Sequence, residues 1–271
     1  MVAVIINYSY DERIFIEPLI SQCQLFADEI IVSYGSHYYN GDIANHEHFE
    51  ECRQKFPNVT FVEYKVDTQL DVSKKKGVVN REKAYWHNLG RWTAFSNLKE
   101  KNQWIFVIDG DEIPNGNDVK EWYNEMHGYN YLQESKCFKM ACHWYFKDVI
   151  HQAEQIEDSI LLIHGSKISE DTIFGDLERD FLIYKSGCSL VRNVRNRKMV
   201  PMWHHFSFVR TREGLRRKIE CWAHANEGVF GCINKSEFIE QIYETDTVND
   251  VVHNYTYKTV PNFFSINFVK D

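Results

Sequence analysis

No stretch of this sequence approaches the roughly 20 consecutive apolar residues that span a bilayer. The first apolar run, Val2-Ala3-Val4-Ile5-Ile6, turns polar at Asn7. It is too short for a secretory leader, has no basic segment before it, and reads as a strand. Positive charge is also in deficit. The 31 Lys and Arg stand against 39 Asp and Glu, a net charge of −8, which argues against a broad nucleic-acid-binding surface. Cysteines number seven, an odd count with no CxxC spacing. That argues against a zinc site or a disulfide framework and points to reduced, mostly buried thiols in a cytosolic compartment. Repeats, low-complexity tracts and linker composition are absent too, so one domain is expected over residues 1–245, with 246–271 as a C-terminal extension.

What is present suits a large core. Hydrophobic residues make up 44% of 271, charged residues 26%, and aromatics a rich 15%. Tyr and Trp stack on sugar or base faces while their polar tips hydrogen-bond, although they serve a core equally well. Strand and helix patterns alternate through the first half. Val2–Ile6, Glu29–Ser33, Val59–Val66 and Trp104–Ile108 read as strands. Glu17–Phe26, Ala44–Phe56 and Arg81–Leu98 carry helical spacing. This order predicts an α/β fold with a mixed, mainly parallel sheet flanked by helices. Ligands then bind beyond the carboxyl ends of the strands, where Asn7, Tyr34, Asp67 and Asp109 fall. The second half is less regular. Cys137–Phe146, Ile160–Ile163, Phe181–Tyr184 and Met199–Phe208 read as strands, Ile168–Asp180 as an acidic loop, and Thr211–Asn226 as a helix.

The run Trp104-Ile-Phe-Val-Ile-Asp109-Gly110-Asp111-Glu112-Ile113-Pro114 is the most informative segment. In extended chain, residues two apart project to one side, so Asp109 and Asp111 can address one point. Gly110 between them lets a ligand or another backbone come close. Paired carboxylate oxygens suit Mg²⁺ or Mn²⁺, which keep open positions for water and phosphate. An acidic turn after a buried strand is the plain alternative, and the preceding apolar strand tips the balance toward a metal site.

Here the chain resembles a known family. "VIDGDEIP" is similar to the DxD signature of GT-A-fold glycosyltransferases. The D-x-D-E-I-P form occurs in family-2-like enzymes and in the β-1,4-mannosyl-glycoprotein N-acetylglucosaminyltransferase-like family. Upstream, "NREKAYWHNLGRWTAF" resembles the Arg-bearing helix before DxD. Downstream, "PMWHHFSFVRTREGLRRKIECWAHANE" resembles the Trp-His block and the Lys- and His-bearing helix after it. The three blocks occur in family order and cover roughly residues 1–230. One departure is Tyr34-Gly35-Ser36-His37, which stands where many relatives carry Asp-x-Gly-Ser, so an acidic group near the nucleoside is missing.

The resemblance implies a nucleotide-sugar half over 1–115 and an acceptor half over 116–245. It implies transfer of a sugar from a UDP- or GDP-linked donor to a glycan or glycoprotein hydroxyl, with inversion. Asp109 and Asp111 would meet metal and donor, with His204 or His224 as a further metal ligand. Asn7, Tyr8, Tyr34, Asp67, Arg81, Arg91, Gly110 and Lys218 would approach the nucleotide. Of His204 and His205, strand alternation lets only one face the metal, and His204 is preferred. A carboxylate of the acceptor half must activate the hydroxyl; Asp176, Glu178 and Asp148 are the candidates, with no spacing to separate them. The missing anchor points to a bacterial cytoplasm, or to a viral protein in the host cytoplasm. A sugar-1-phosphate nucleotidyltransferase lacks support because no Gly-rich loop follows the first strand. A silent carbohydrate-binding protein would leave the acidic cluster unexplained.

Overall fold

Alternate residues of the first strand are buried on opposite sides, which is why both faces of its sheet carry helices. In the computed structural model Val2, Val4 and Ile6 pack into one apolar cluster with Phe15, Leu19, Phe49 and Phe106. Ala3 and Ile5 pack into another, with Ala94, Phe95, Ile105 and Val107. The structure describes residues 1–8, 12–72, 82–175, 179–221, 234–244, 248, 250 and 252–268.

The elements run β1 (Val2–Tyr8), α1 (Arg13–Cys23), β2 (Glu29–Gly35), α2 (His48–Lys55), β3 (Thr60–Tyr64), α3 (Glu82–Ser96), β4 (Trp104–Asp109), β5 (Glu112–Pro114) and α4 (Gly116–Gly128). They continue with β6 (Lys136–Phe146), β7 (His151–His164), α5 (Glu170–Ile173), α6 (Arg179–Ser186), β8 (Ser189–Val194), β9 (Trp203–Phe208), α7 (Arg212–Cys221), α8 (Lys235–Glu244) and β10 (Tyr257–Thr259). The ten strands form one sheet in the order β3-β2-β1-β4-β7-β6-β9-β5, with β10 on β7 and β8 on β6. The expected α/β class and mixed sheet are therefore found. The first four strands are all parallel, and antiparallel pairing enters with the β6–β7 hairpin against β4. Among the described residues, no helix is long and apolar enough to cross a membrane.

Several boundaries depart from expectation. Phe181–Tyr184 lies in helix α6, not in a strand. Only Leu182 and Ile183 of that run are fully buried, and four apolar residues in a row fit either period. The strand expected from Met199 starts at Trp203, because Met199 takes a positive φ of 62° and Pro201 follows. Ile160–Ile163 is the buried end of the much longer β7, whose first half is partly polar. Within 246–271, β10 pairs antiparallel with β7, and Ile266 joins the main core.

Candidate active site

Strand register sets the site. Asn7 pairs with Ser33 of β2 on one side and with Asp109 of β4 on the other, so the three stand level at the carboxyl edge. Beyond Asp109 the chain turns through Gly110, whose N–H donates to the Asn7 carbonyl at 3.1 Å, and enters β5.

Asp109 meets α3. Arg91 donates to both carboxylate oxygens at 3.0 and 3.1 Å. His87, one turn earlier on the same helix face, has Nε2 3.5 Å from Oδ1. Arg179, the first residue of α6, lies 3.4 Å away. Burial raises the Asp109 carboxyl, but Arg91, Arg179 and His87 outweigh it and hold the group well below the usual carboxylate range. Glu112, fully buried, braces the turn. It accepts from the Asp109 N–H at 2.8 Å, from Arg179 at 2.7 and 2.9 Å and from the Ser159 hydroxyl.

Asp111 has its own partners. Its Oδ2 accepts from Arg210 at 2.7 Å and from Lys218 at 3.2 Å. Lys218 also donates to Ser207 Oγ at 2.7 Å, and Arg210 to Glu12 at 3.1 Å. Burial again raises the Asp111 carboxyl, and Lys218, Arg210 and His205 reverse that to a net depression. Glu12 goes the other way, raised well above its ordinary value, first by burial and then by the Asp111 charge. Among the described residues, four carboxylates (Glu12, Asp109, Asp111, Glu112) thus face four cations (Arg91, Arg179, Arg210, Lys218). Such a set is tolerated inside a protein because each charge has a partner.

The histidine preference is corrected. β5 and β9 pair antiparallel with Glu112 opposite His205 and Ile113 opposite His204, which puts His205 on the carboxylate face. His205 Nε2 lies 3.6 Å from Asp111 Oδ1. His204 lies on the other face, with Nδ1 2.7 Å from the Tyr145 hydroxyl and its ring among Phe206, Phe263 and Phe264. Burial, with His143 beside it, lowers its pKa to about 3. It is a structural, neutral imidazole.

The remaining expectations divide. Asn7 is buried, and among the described residues neither polar atom of its side chain has a hydrogen-bond partner. Tyr8, with Arg13, Tyr38, Asn45, His48 and Arg217, lines a cavity of about 400 Å³. The guanidinium of Arg217 sits 4.7 Å from the Tyr38 ring centre. Tyr8, Arg13 and Arg217 of the cavity lining are the chain neighbours of Asn7, Glu12 and Lys218. Tyr34 is not in it; its ring packs on His46 and Phe49 and its hydroxyl accepts from Arg53 at 2.8 Å. Asp67 caps a turn through the Gln69 N–H at 3.1 Å. Asp148 occupies the β6–β7 turn, with Oδ1 3.4 Å from the Ile150 N–H. Both carboxylates have a local structural task. Arg81, Asp176, Glu178 and His224 lie outside the described residues. Sequence reading missed Glu12, His87, Arg179 and Arg210, and ranked His205 behind His204. Arg210 and His205 stand inside the third family-like block, which was the one available signal.

Gly110 is needed for space. A Cβ there would lie 2.1 Å from Glu12 Oε2, and Glu12 is buried and tied to Arg210. Gly110→Ala is expected to push Glu12 off Arg210 and to cost about 1–3 kcal/mol, the usual price of overpacking. Urea melts of both proteins check this; a midpoint unchanged from wild type would show that the turn relaxes freely.

Compared with known proteins, the chain matches no family model and no curated protein. Among solved structures, residues 1–349 of S. aureus TarS are 11% identical with a TM-score of 0.43, covering 89% of this chain and 69% of that one. The mannosyltransferase PcManGT from Pyrobaculum calidifontis, in complex with GDP-Man and Mn²⁺, is 8% identical with a TM-score of 0.41, covering 81% and 61%. Glucosyl-3-phosphoglycerate synthase from Mycobacterium tuberculosis, in complex with Mn²⁺, UDP and phosphoglyceric acid, is 13% identical with a TM-score of 0.38, covering 72% and 71%. Likeness at this level leaves the chemistry of this chain to be read from its side chains.

Proposed function

We propose that this protein is a metal-assisted glycosyltransferase that moves a sugar from a UDP- or GDP-linked donor to a hydroxyl of a glycan or glycoprotein. The observation that carries this reading is the gap between Asp111 Oδ1 and His205 Nε2. At 3.6 Å it is too long for a hydrogen bond. Two ligands bound at about 2.1 Å on adjacent octahedral positions stand about 3 Å apart, so a small inward movement of both side chains suits a divalent ion. Mn²⁺ or Mg²⁺ held by Asp111 and His205 would supply positive charge for the leaving diphosphate.

The protein's own residues account for the rest. The cavity lined by Tyr8, Tyr38, Asn45 and Arg217 is where the base would enter. Asp109, its charge matched by Arg91 and Arg179, accepts from nucleotide hydroxyls. Arg217 lines that cavity, and Lys218 and Arg210 hold Asp111; their positive charge would favour the diphosphate as its bond to the sugar breaks. Inversion at the anomeric carbon follows from the family resemblance, and NMR of the product anomer reads it out.

Calorimetric titration with UDP- and GDP-sugars, with and without Mn²⁺, tests the proposal. One donor class is expected to bind in the presence of the metal. His205→Asn is expected to weaken that binding at least about tenfold, since loss of even an outer partner of a metal ligand costs 10–100-fold. Nucleotide binding indifferent to both Mn²⁺ and His205 would remove the metal assignment. No binding of any donor would remove the transferase.

A further inference from the structure

Beside the acidic cluster, three strands bring together a second and chemically different set of ligands. Cys142 of β6 and Glu157 of β7 are direct cross-strand partners. On the opposite side of β6, Trp144 pairs with His205 of β9. One ligand atom each from Cys142, Glu157 and His205 lie within 4.8 Å of one another. A thiol, a carboxylate and an imidazole meeting on one sheet face is not a charge cluster that solvation explains.

Two details favour a ligand there. The His205 ring turns Nε2 to Asp111, and its Nδ1 is buried with no hydrogen-bond partner among the described residues. Glu157 is oriented as well, by the Tyr255 hydroxyl, which donates to Oε1 at 3.0 Å. Cys142 is fully buried, while Glu157 and His205 are half-buried, so an ion has a route in from solvent.

We propose that Cys142, Glu157 and His205 form a binding site for a borderline-soft divalent ion, Zn²⁺ or its probe Co²⁺, with water in the fourth position. One nitrogen, one oxygen and one sulfur suit tetrahedral Zn²⁺, whereas Mg²⁺ and Mn²⁺ gain little from a thiolate. Bonds of about 2.0–2.3 Å at tetrahedral angles put ligand atoms about 3.5 Å apart, so the three close slightly on the ion. The Cys142 thiol proton passes to solvent as the sulfur–metal bond forms. This set escaped the sequence because no two of its members share a CxxC- or HxxxH-like spacing.

The site has a consequence for His205. A neutral imidazole offers one lone pair, so the ring holds one ion at a time. Zn²⁺ is therefore expected to oppose Mn²⁺-dependent nucleotide binding.

The metal alone, without nucleotide, tests the site on the full chain, so the result is independent of the transferase reading. Titration with Co²⁺ is expected to give one tightly bound ion with a thiolate-to-cobalt charge-transfer band in the near ultraviolet. Cys142→Ser is expected to lose that band. Because Cys142 is a core residue, Glu157→Gln serves as the second variant; it is expected to keep the band and bind Zn²⁺ at least tenfold more weakly. No charge-transfer band in the wild type overturns the proposal. So does Zn²⁺ affinity unchanged in Glu157→Gln.

Discussion

Asp111→Asn is expected to reduce sugar transfer by two to three orders of magnitude, the scale of removing one preorganised charge-stabilising group. It is also expected to destabilise the fold by about 3–5 kcal/mol, as removing one partner of a buried ion pair does. Arg210 and Lys218 both point at Asp111, and their side chains are only 0% and 5% exposed. Asparagine preserves the shape and one acceptor oxygen but removes the charge. Arg210 retains Glu12 at 3.1 Å. Lys218 retains Ser207 Oγ at 2.7 Å and the nearby charge of Glu12, while burial lowers its pKa.

A double variant separates the two roles of Asp111. Adding Lys218→Met to Asp111→Asn removes the stranded ammonium, so stability is expected to recover by a coupling of about 0.5–3 kcal/mol. Transfer is expected to stay lost. Urea melts and a donor-hydrolysis assay on the wild type, both singles and the double give the cycle. If the double variant is as unstable as the sum of the singles, Lys218 is not stabilised through Asp111.

The parts of this site that could be read from sequence are those whose signal is local. Trp104–Ile108 is apolar at every position and is buried on both faces, so the strand and the carboxylates at its end stand where the sequence places them. Gly110 reads as a close approach, and the approach is real, to Glu12. The partners of those carboxylates come from far away in the chain. Arg210 is 99 residues from Asp111 and 198 from Glu12, and Arg179 is 67 from Glu112. An isolated arginine in such a position looks like a solvated surface residue until tertiary structure buries it. His204 and His205 show the same limit more sharply. Alternation requires them to face opposite ways, but which way depends on the β5–β9 register, and a shift of one residue reverses it. The expectation that Asp109 and Asp111 share one point is similarly modified. They are neighbours, and each has its own cations.

Those separate cations give Asp109 a different test from Asp111. Arg91→Met is expected to destabilise the protein at neutral pH by about 3 kcal/mol, the low end for breaking a buried pair. The lower end applies because Arg179 at 3.4 Å and His87 at 3.5 Å remain beside the carboxylate. The pH dependence identifies the cause. In the wild type the folded-state pKa of Asp109 is depressed. Its contribution is therefore fully present above the unfolded value of about 3.9 and is lost as pH falls toward the folded one. Without Arg91 the folded pKa rises, so the variant has less of that contribution to lose. The unfolded states titrate alike and cancel, so the stability gap between wild type and Arg91→Met is expected to be widest near pH 7 and to narrow as pH falls through the raised folded pKa of Asp109 in the variant toward the depressed one of the wild type. Asp111, whose pKa is lowered, and Glu12, whose pKa is raised, are present in both proteins and largely cancel from the difference. Urea melts of both proteins from pH 7 into the acid range below about 4 measure it. A gap of constant size across that range would mean that Arg91 acts through packing of its buried stem, with the charge on Asp109 playing no part.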